Sequence, residues 1–387
     1  MSELTIDVGL DINPFTVTVL EDPATGARRF DLSTFPRVEG LLVGKPVAMM
    51  PDATKMLCGI CPVSHYLASM QALEKLHGVA EIPATAQLIR RVTHHASTVD
   101  TLAIRLPREV AVLAKQAARA VNAVVGVHGH FPQHLVVGGV AAAADRSRAD
   151  EALAQLTTLQ EALAGLPVEA TPKDRWTGLS VMLIDATGRL DPLGGTVAVV
   201  DENKQIVERF PANEWTAHVV ESRPGSVAPR PQVLSRPYRV GPWARGLLGA
   251  AEWTIAQQVG VAAEELSSLL AGDRLYGKSL TVTVSSDVVA EVGTGVVDTP
   301  RGILVHQYRV DPPTGQVTGA LIFTPTAQNE LWLAQLLTVA SGGDAEALSR
   351  AVEVAVRMAD PCVSAVNAPA GMMDVHVVPD AQPIRGE

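Results

Sequence analysis

Ala, Leu and Val recur at helical intervals across residues 84–126, 147–165, 241–271 and 327–358, and a chain that repeats this pattern over so much of its length must bury most of it as packed helices. A further helix is predicted from Pro62 to about Val79. Leu67, Met70, Leu73 and Leu76 fall three apart on one face, Pro62 suits a first turn, and Gly78 marks the stop. Two stretches break the helical pattern. Residues 4–20 alternate apolar and polar side chains through Ile6, Val8, Leu10 and Ile12, then Val17 and Val19, which predicts strands interrupted at Asn13-Pro14. Residues 173–238 are rich in Pro, Gly and short β-type runs such as GGTVAVV, which predicts a sheet or irregular insertion. The expected fold class is therefore α+β. A mainly helical body of residues 51–170 and 239–368 carries N-terminal β-strands within residues 1–50, a small β-rich insertion at 173–238 and a C-terminal tail, 369–387, all in one domain. With 387 residues, 47% of them hydrophobic, the chain can bury the core this requires.

The charge balance excludes some partners. Lys plus Arg number 31 against 41 Asp plus Glu, and a net charge of -10 argues against a phosphate backbone or an anionic membrane surface. Nucleic acid is not an expected partner. No apolar run reaches the roughly 18 residues of a spanning helix, so no direct membrane span is expected. The start MSELTIDVGLDINPF has acidic residues early and no basic segment leading into an apolar one, which predicts a cytoplasmic protein.

Three cysteines are too few and too odd in number for a disulfide framework. Cys58-Gly-Ile-Cys61 places two thiols within reach of one ion, and the helix start after Cys61 favours the thiolate a soft transition metal needs. Alone, the pair fits a redox disulfide, half of a zinc site or two buried thiols equally well. His65, four residues after Cys61 on the same helix face, is placed to hydrogen-bond a sulfur. Cys362 follows a long helix in Arg357-Met-Ala-Asp-Pro-Cys, where Pro361 ends the helix. His128, His130 and His134 are spaced for no helix face, and they are assigned structural roles.

LCGICPVSH early and DPCVS near the end are similar, in order and separation, to the two cysteine motifs of nickel-iron hydrogenase large subunits. The resemblance extends to Phe35-Pro-Arg-Val-Glu39, Phe131-Pro-Gln-His134 before LVVGG, Val240-Gly-Pro-Trp-Ala-Arg245, and Thr299-Pro-Arg-Gly302 followed by His306, so it spans nearly the whole chain. It implies an enzyme that oxidises or forms dihydrogen heterolytically. The implied cofactors are nickel, an iron carrying cyanide and carbon monoxide, and magnesium. The implied partner is an iron-sulfur small subunit, with further electron-transfer subunits. By the same resemblance Cys58 and Cys362 are terminal nickel ligands, Cys61 bridges nickel and iron, and Arg301 is a base over the open metal face. Glu39 ligates the magnesium, Asp360 stands beside the open coordination position, and Thr324 and Thr326 lie in a loop that hydrogen-bonds the cyanides.

The pattern also departs from the family. Its second motif is D-P-C-x-x-C followed by His or Arg, yet Ala365 stands at the last cysteine and Ala368 at the processing residue. One thiolate and one sulfur bridge are missing, and Ser364, Asn367 or water are the candidates to replace them. Met56 stands where the family has arginine, and Asn13 near the family's proton-passing glutamate. The alternative to an active enzyme is thus a hydrogenase-related subunit that has lost its bimetallic centre and serves a structural, sensory or coupling role. In the family a C-terminal extension is cut off after the position of Ala368. With that residue changed, residues 369–387 are expected to stay attached, with His376 on the magnesium side.

Overall fold

The missing N–H of Pro62 costs nothing at the first position of a helix. In the computed structural model, which describes residues 13–33, 38–167, 174–223, 228–249 and 253–380, Pro62 opens the helix Pro62–Leu76. Nearly every residue of that helix is buried, His65, Ser69 and Glu74 included, so it is an internal rod with no solvent face. It lies along the strand Val292–Thr299, and two glycines let it come that close. A Cβ on Gly295 would sit 1.9 Å from the Ala68 carbonyl oxygen, and one on Gly293 would sit 2.2 Å from that of Ala72.

The chain divides into two compact units, residues 32–332 and residues 1–31 with 333–387. In the larger, the strand Val292–Thr299 begins an antiparallel three-stranded sheet completed by Gly302–Asp311 and Gln316–Phe323. This sheet falls inside the stretch expected to be helical. VGTGVVDT is buried over seven of its eight residues although it carries Thr294, Asp298 and Thr299, and GILVHQYRVD is buried through residues 302–306 and alternates only from Gln307 on, so neither declares itself by alternation along its length. The insertion expected at 173–238 is a six-stranded sheet, in the order Ile206–Pro211, Thr196–Val200, Leu179–Ile184, Arg236–Arg239, Pro231–Val233, Val219–Glu221. The helix expected over 84–126 divides at Pro107 into Ala84–Ala103 and Arg108–Val124, since proline cannot donate to the preceding turn. The one expected over 241–271 becomes a turn, Pro242–Arg245, and a helix, Ile255–Ala271, which starts at a capping box of Thr254 and Gln257.

One buried ion pair fastens this unit internally. Arg90 donates to both carboxylate oxygens of Glu74, at 3.0 and 2.6 Å, and to the carbonyls of Val136 and Gly139. Glu74 in turn accepts from the Gly138 amide at 3.0 Å. The LVVGG turn is thereby tied to two helices.

The smaller unit holds a sheet in which Thr16–Glu21 is central, antiparallel to Arg28–Phe30 on one side and parallel to Asp374–Pro379 on the other. The strands expected over residues 4–12 lie outside the described residues. The unit also contains the amphipathic helix Ala345–Ala359, capped by Asp344. Among the described residues no helix is long and apolar enough to cross a membrane.

Candidate metal centre

Cys61 is the N-cap of the buried helix, so its sulfur sits at the positive end of the helix dipole, where a thiolate is favoured. Cys58 and Cys61 are half-buried cysteines whose sulfurs lie 3.2 Å apart, well beyond the roughly 2.05 Å of a disulfide bond. Two groups whose contacts the sequence reading did not assign hold the turn between them. His130 Nε2 donates to the Gly59 carbonyl at 2.7 Å, and the Thr101 hydroxyl donates to that of Ile60 at 3.1 Å. Both partners are distant in sequence, so no local signal could have named them.

At 3.2 Å both sulfurs can reach one ion, and a pair of thiolates suits a soft transition metal such as nickel.

His65, one turn along the helix, is buried and belongs to a chain of four side chains. Its Nδ1 lies 2.9 Å from His306 Nε2, His306 Nδ1 lies 2.8 Å from the Tyr308 hydroxyl, and Tyr308 lies 2.9 Å from the Ser69 hydroxyl. Burial first, and then His65 beside it, holds His306 well below the usual histidine value, so it is neutral and has one donor and one acceptor nitrogen. Only two arrangements satisfy the chain. Either Tyr308 donates to His306 and His306 to His65, or both bonds reverse, so the tautomer of His65 is tied to the orientation of the Tyr308 hydroxyl.

Arg301 is 5% exposed and sits in the turn that joins the first two strands of the three-stranded sheet. Several groups fix that turn. The Arg301 amide donates to the Thr299 hydroxyl, and Arg245 donates to the Asp298 carboxylate at 2.6 Å and to the carbonyls of Thr299 and Pro300. A Cβ on Gly241 would lie 2.5 Å from the Arg301 carbonyl oxygen. The segment Val240–Arg245 thus acts as the seat of the Thr299–Gly302 turn. Asn329 closes it from the other side by bonding both backbone groups of Val240.

The remaining predicted residues are placed as follows. Glu39 is half-buried in the first turn of a short helix, Glu39–Leu42, and the motif residues 35–37 before it lie outside the described residues. Thr324 caps the turn Pro325–Gln328 by accepting from the Ala327 amide, and Thr326 is buried within that turn. His134 bonds Thr93 at 2.9 Å, and burial pushes it down to about 4, while His128 and His130 are exposed. In the smaller unit Asp360 ends the long helix in the left-handed conformation, φ 47°, which short polar side chains tolerate. Half-buried Cys362 follows it, and Ala365 is fully buried. Of the groups considered to replace the missing thiolate, Ser364 is exposed and Asn367 half-buried. His376 is exposed and bonds Asp374 on its own strand.

Comparison with known proteins is consistent across sequence and structure. Residues 38–105 match the family model described as nickel-dependent hydrogenase. The chain is 25% identical to the beta subunit of the NAD-reducing hydrogenase HoxS of Cupriavidus necator, over 88% of each protein. It is 24% identical to one chain of the F420-non-reducing hydrogenase vhc of Methanococcus voltae, over 88% of this chain and 89% of that one. Among solved structures, an NAD+-reducing [NiFe]-hydrogenase in the H2-reduced state superposes with a TM-score of 0.74 at 25% identity, over 88% of this chain and 93% of that one. The Ni-Fe-Se hydrogenase of Desulfomicrobium baculatum, at 15% identity and a TM-score of 0.62 over 88% and 94% of the two chains, shares the fold. Motifs, fold and relatives agree in their similarity to the large subunits of nickel-iron hydrogenases.

Proposed function

We propose that this chain is the metal-site subunit of a hydrogenase-type complex that oxidises or forms dihydrogen, with Cys58, Cys61 and Cys362 as thiolate ligands. The observation that carries the reading is the pair of cysteine sulfurs 3.2 Å apart at a helix start, with the turn between them fastened at both internal carbonyls. When bound, a nickel-iron centre carrying cyanide and carbon monoxide supplies Lewis acidity and a reversible electron store. The chain supplies the rest. The helix start favours the thiolate forms, and His65, with its tautomer tied to the Tyr308 hydroxyl through His306, is the group that tunes a neighbouring sulfur by hydrogen bonding. Arg301, held by a turn that Arg245 and Gly241 brace, is the base for the proton released on heterolysis, and Asp360 is the carboxylate assigned to the open coordination position. Thr324 and Thr326 provide hydroxyls for the cyanides, and Glu39 a hard carboxylate for magnesium. Three cysteines leave none for an iron-sulfur cluster, so electrons leave through a separate iron-sulfur small subunit. Exposed Met49, Met56 and Ile104 in the cysteine region are suited to contact it.

Ala365 supports a second reading. A fully buried alanine offers no ligand atom where the family has a bridging thiolate, as expected of a subunit that retains the scaffold without the metals. Elemental analysis of the complex purified from its native cell separates the two. The enzyme reading expects nickel and iron together, both lost in Cys58→Ser. Absence of both metals from the wild-type complex would leave the second reading standing.

A further inference from the structure

Past Ala365 the chain does not trail away from the smaller unit. Arg357, in the last turn of the long helix, donates to three successive acceptors on this segment: the carbonyls of Val366 at 2.9 Å, Ala368 at 2.6 Å and Pro369 at 3.2 Å. Its Nε is held by Glu353 at 2.8 Å, and the same carboxylate oxygen accepts from the Gly371 amide at 3.0 Å. A charged pair, 24% and 9% exposed, thus clasps the backbone on both sides of the Ala368–Pro369 bond. Ala368 itself is 4% exposed, and its amide bonds the Ala365 carbonyl. Beyond the clasp, Met373 is buried, and Asp374–Pro379 pairs in parallel with Thr16–Glu21 over six residues. Both ends of that pairing are pinned. Asp374 accepts from Thr16 at 2.7 Å and Asn13 at 3.1 Å, and Asp380 accepts a two-pronged bond from Arg29 at 2.8 and 3.0 Å.

We infer that Pro369–Asp380 is a permanent structural strand of the mature protein and that the Ala368–Pro369 bond is never cut. Proteolysis selects exposed, unbonded backbone, and here Ala368 is buried and the carbonyls on both sides of the bond are held by Arg357. Removing the segment would strip the central strand Thr16–Glu21 of a neighbour, take the two-pronged carboxylate away from Arg29 and deprive Glu353 of the Gly371 amide. The inference stands apart from the metal reading, because it holds whether or not the centre is assembled.

Intact-mass analysis of the chain from the native complex should find residues 369–387 attached, and a chain ending at Ala368 would overturn the inference. Hydrogen exchange should protect the amides of His376, Val378 and Asp380, which face the neighbouring strand, at least about 100-fold, and random-coil exchange at all three would also overturn it. Asp380→Arg should lower Tm by several degrees, and the charge swap Arg29→Asp with Asp380→Arg should recover most of that loss. Equal stability of the single variant and the wild type would contradict the pairing.

Discussion

The hydroxyl of Tyr308 sits between Ser69 and His306, at the buried end of the chain that reaches His65. Tyr308→Phe removes the only partner shown for His306 Nδ1, and stranding a buried polar group costs about 1–3 kcal/mol. Chemical denaturation of the complex should register that loss, and a change below about 0.5 kcal/mol would show that the chain constrains nothing. Ala365→Cys tests the opposite case, the restoration of a lost group. If the missing thiolate is what weakens the centre, this variant should retain nickel against a chelator at least about tenfold longer, and unchanged retention would place the defect elsewhere. The sequence displayed Cys58, Cys61, His65 and Arg301 because each sits in a compact motif. It hid the contacts of His130, Thr101 and Arg245, which act on residues 41 to 71 positions away.

At the scale of elements, the contact between the helix Pro62–Leu76 and the strand Val292–Thr299 sets the position of the cysteine turn. Gly295→Ala would drive a methyl group to within 1.9 Å of a helix carbonyl that has no room to yield, so it should cost upwards of about 3 kcal/mol or abolish soluble expression. Gly260→Ala is the control, since a Cβ there meets nothing within 4 Å and alanine favours the helix. Equal stability of the two variants would mean that the helix is free to slide. The helix was legible because Leu67, Met70, Leu73 and Leu76 mark one face and Pro62 marks the start. Its partner sheet was not. A strand buried along nearly its whole length, as Val292–Thr299 is, loses the alternation that identifies a strand, and the pairing joins segments more than 200 residues apart, which no local pattern encodes.

At the scale of the molecule, the buried histidines set a pH response. Burial pushes His134 from 6.5 down to about 4 and, with His95 and Arg245 nearby, holds His94 well below 6.5. Above pH 6.5 neither the folded nor the unfolded chain binds a proton at these sites. Between 6.5 and about 4 only the unfolded chain binds one at His134, so stability falls as pH drops through that window, by at most about 3 kcal/mol for that residue. Thermal melts between pH 7.5 and 4.5 should show a declining Tm that His134→Gln flattens, and a curve with the same slope in both proteins would contradict it. The central claim is that a chain with three cysteines still holds the family's metal in a sulfur-poor site. X-ray absorption at the nickel edge of the purified complex counts the sulfurs directly. The account predicts about three sulfur neighbours and at least one lighter ligand around nickel, and a complex without nickel, or one whose nickel has fewer than three sulfur neighbours, would contradict it.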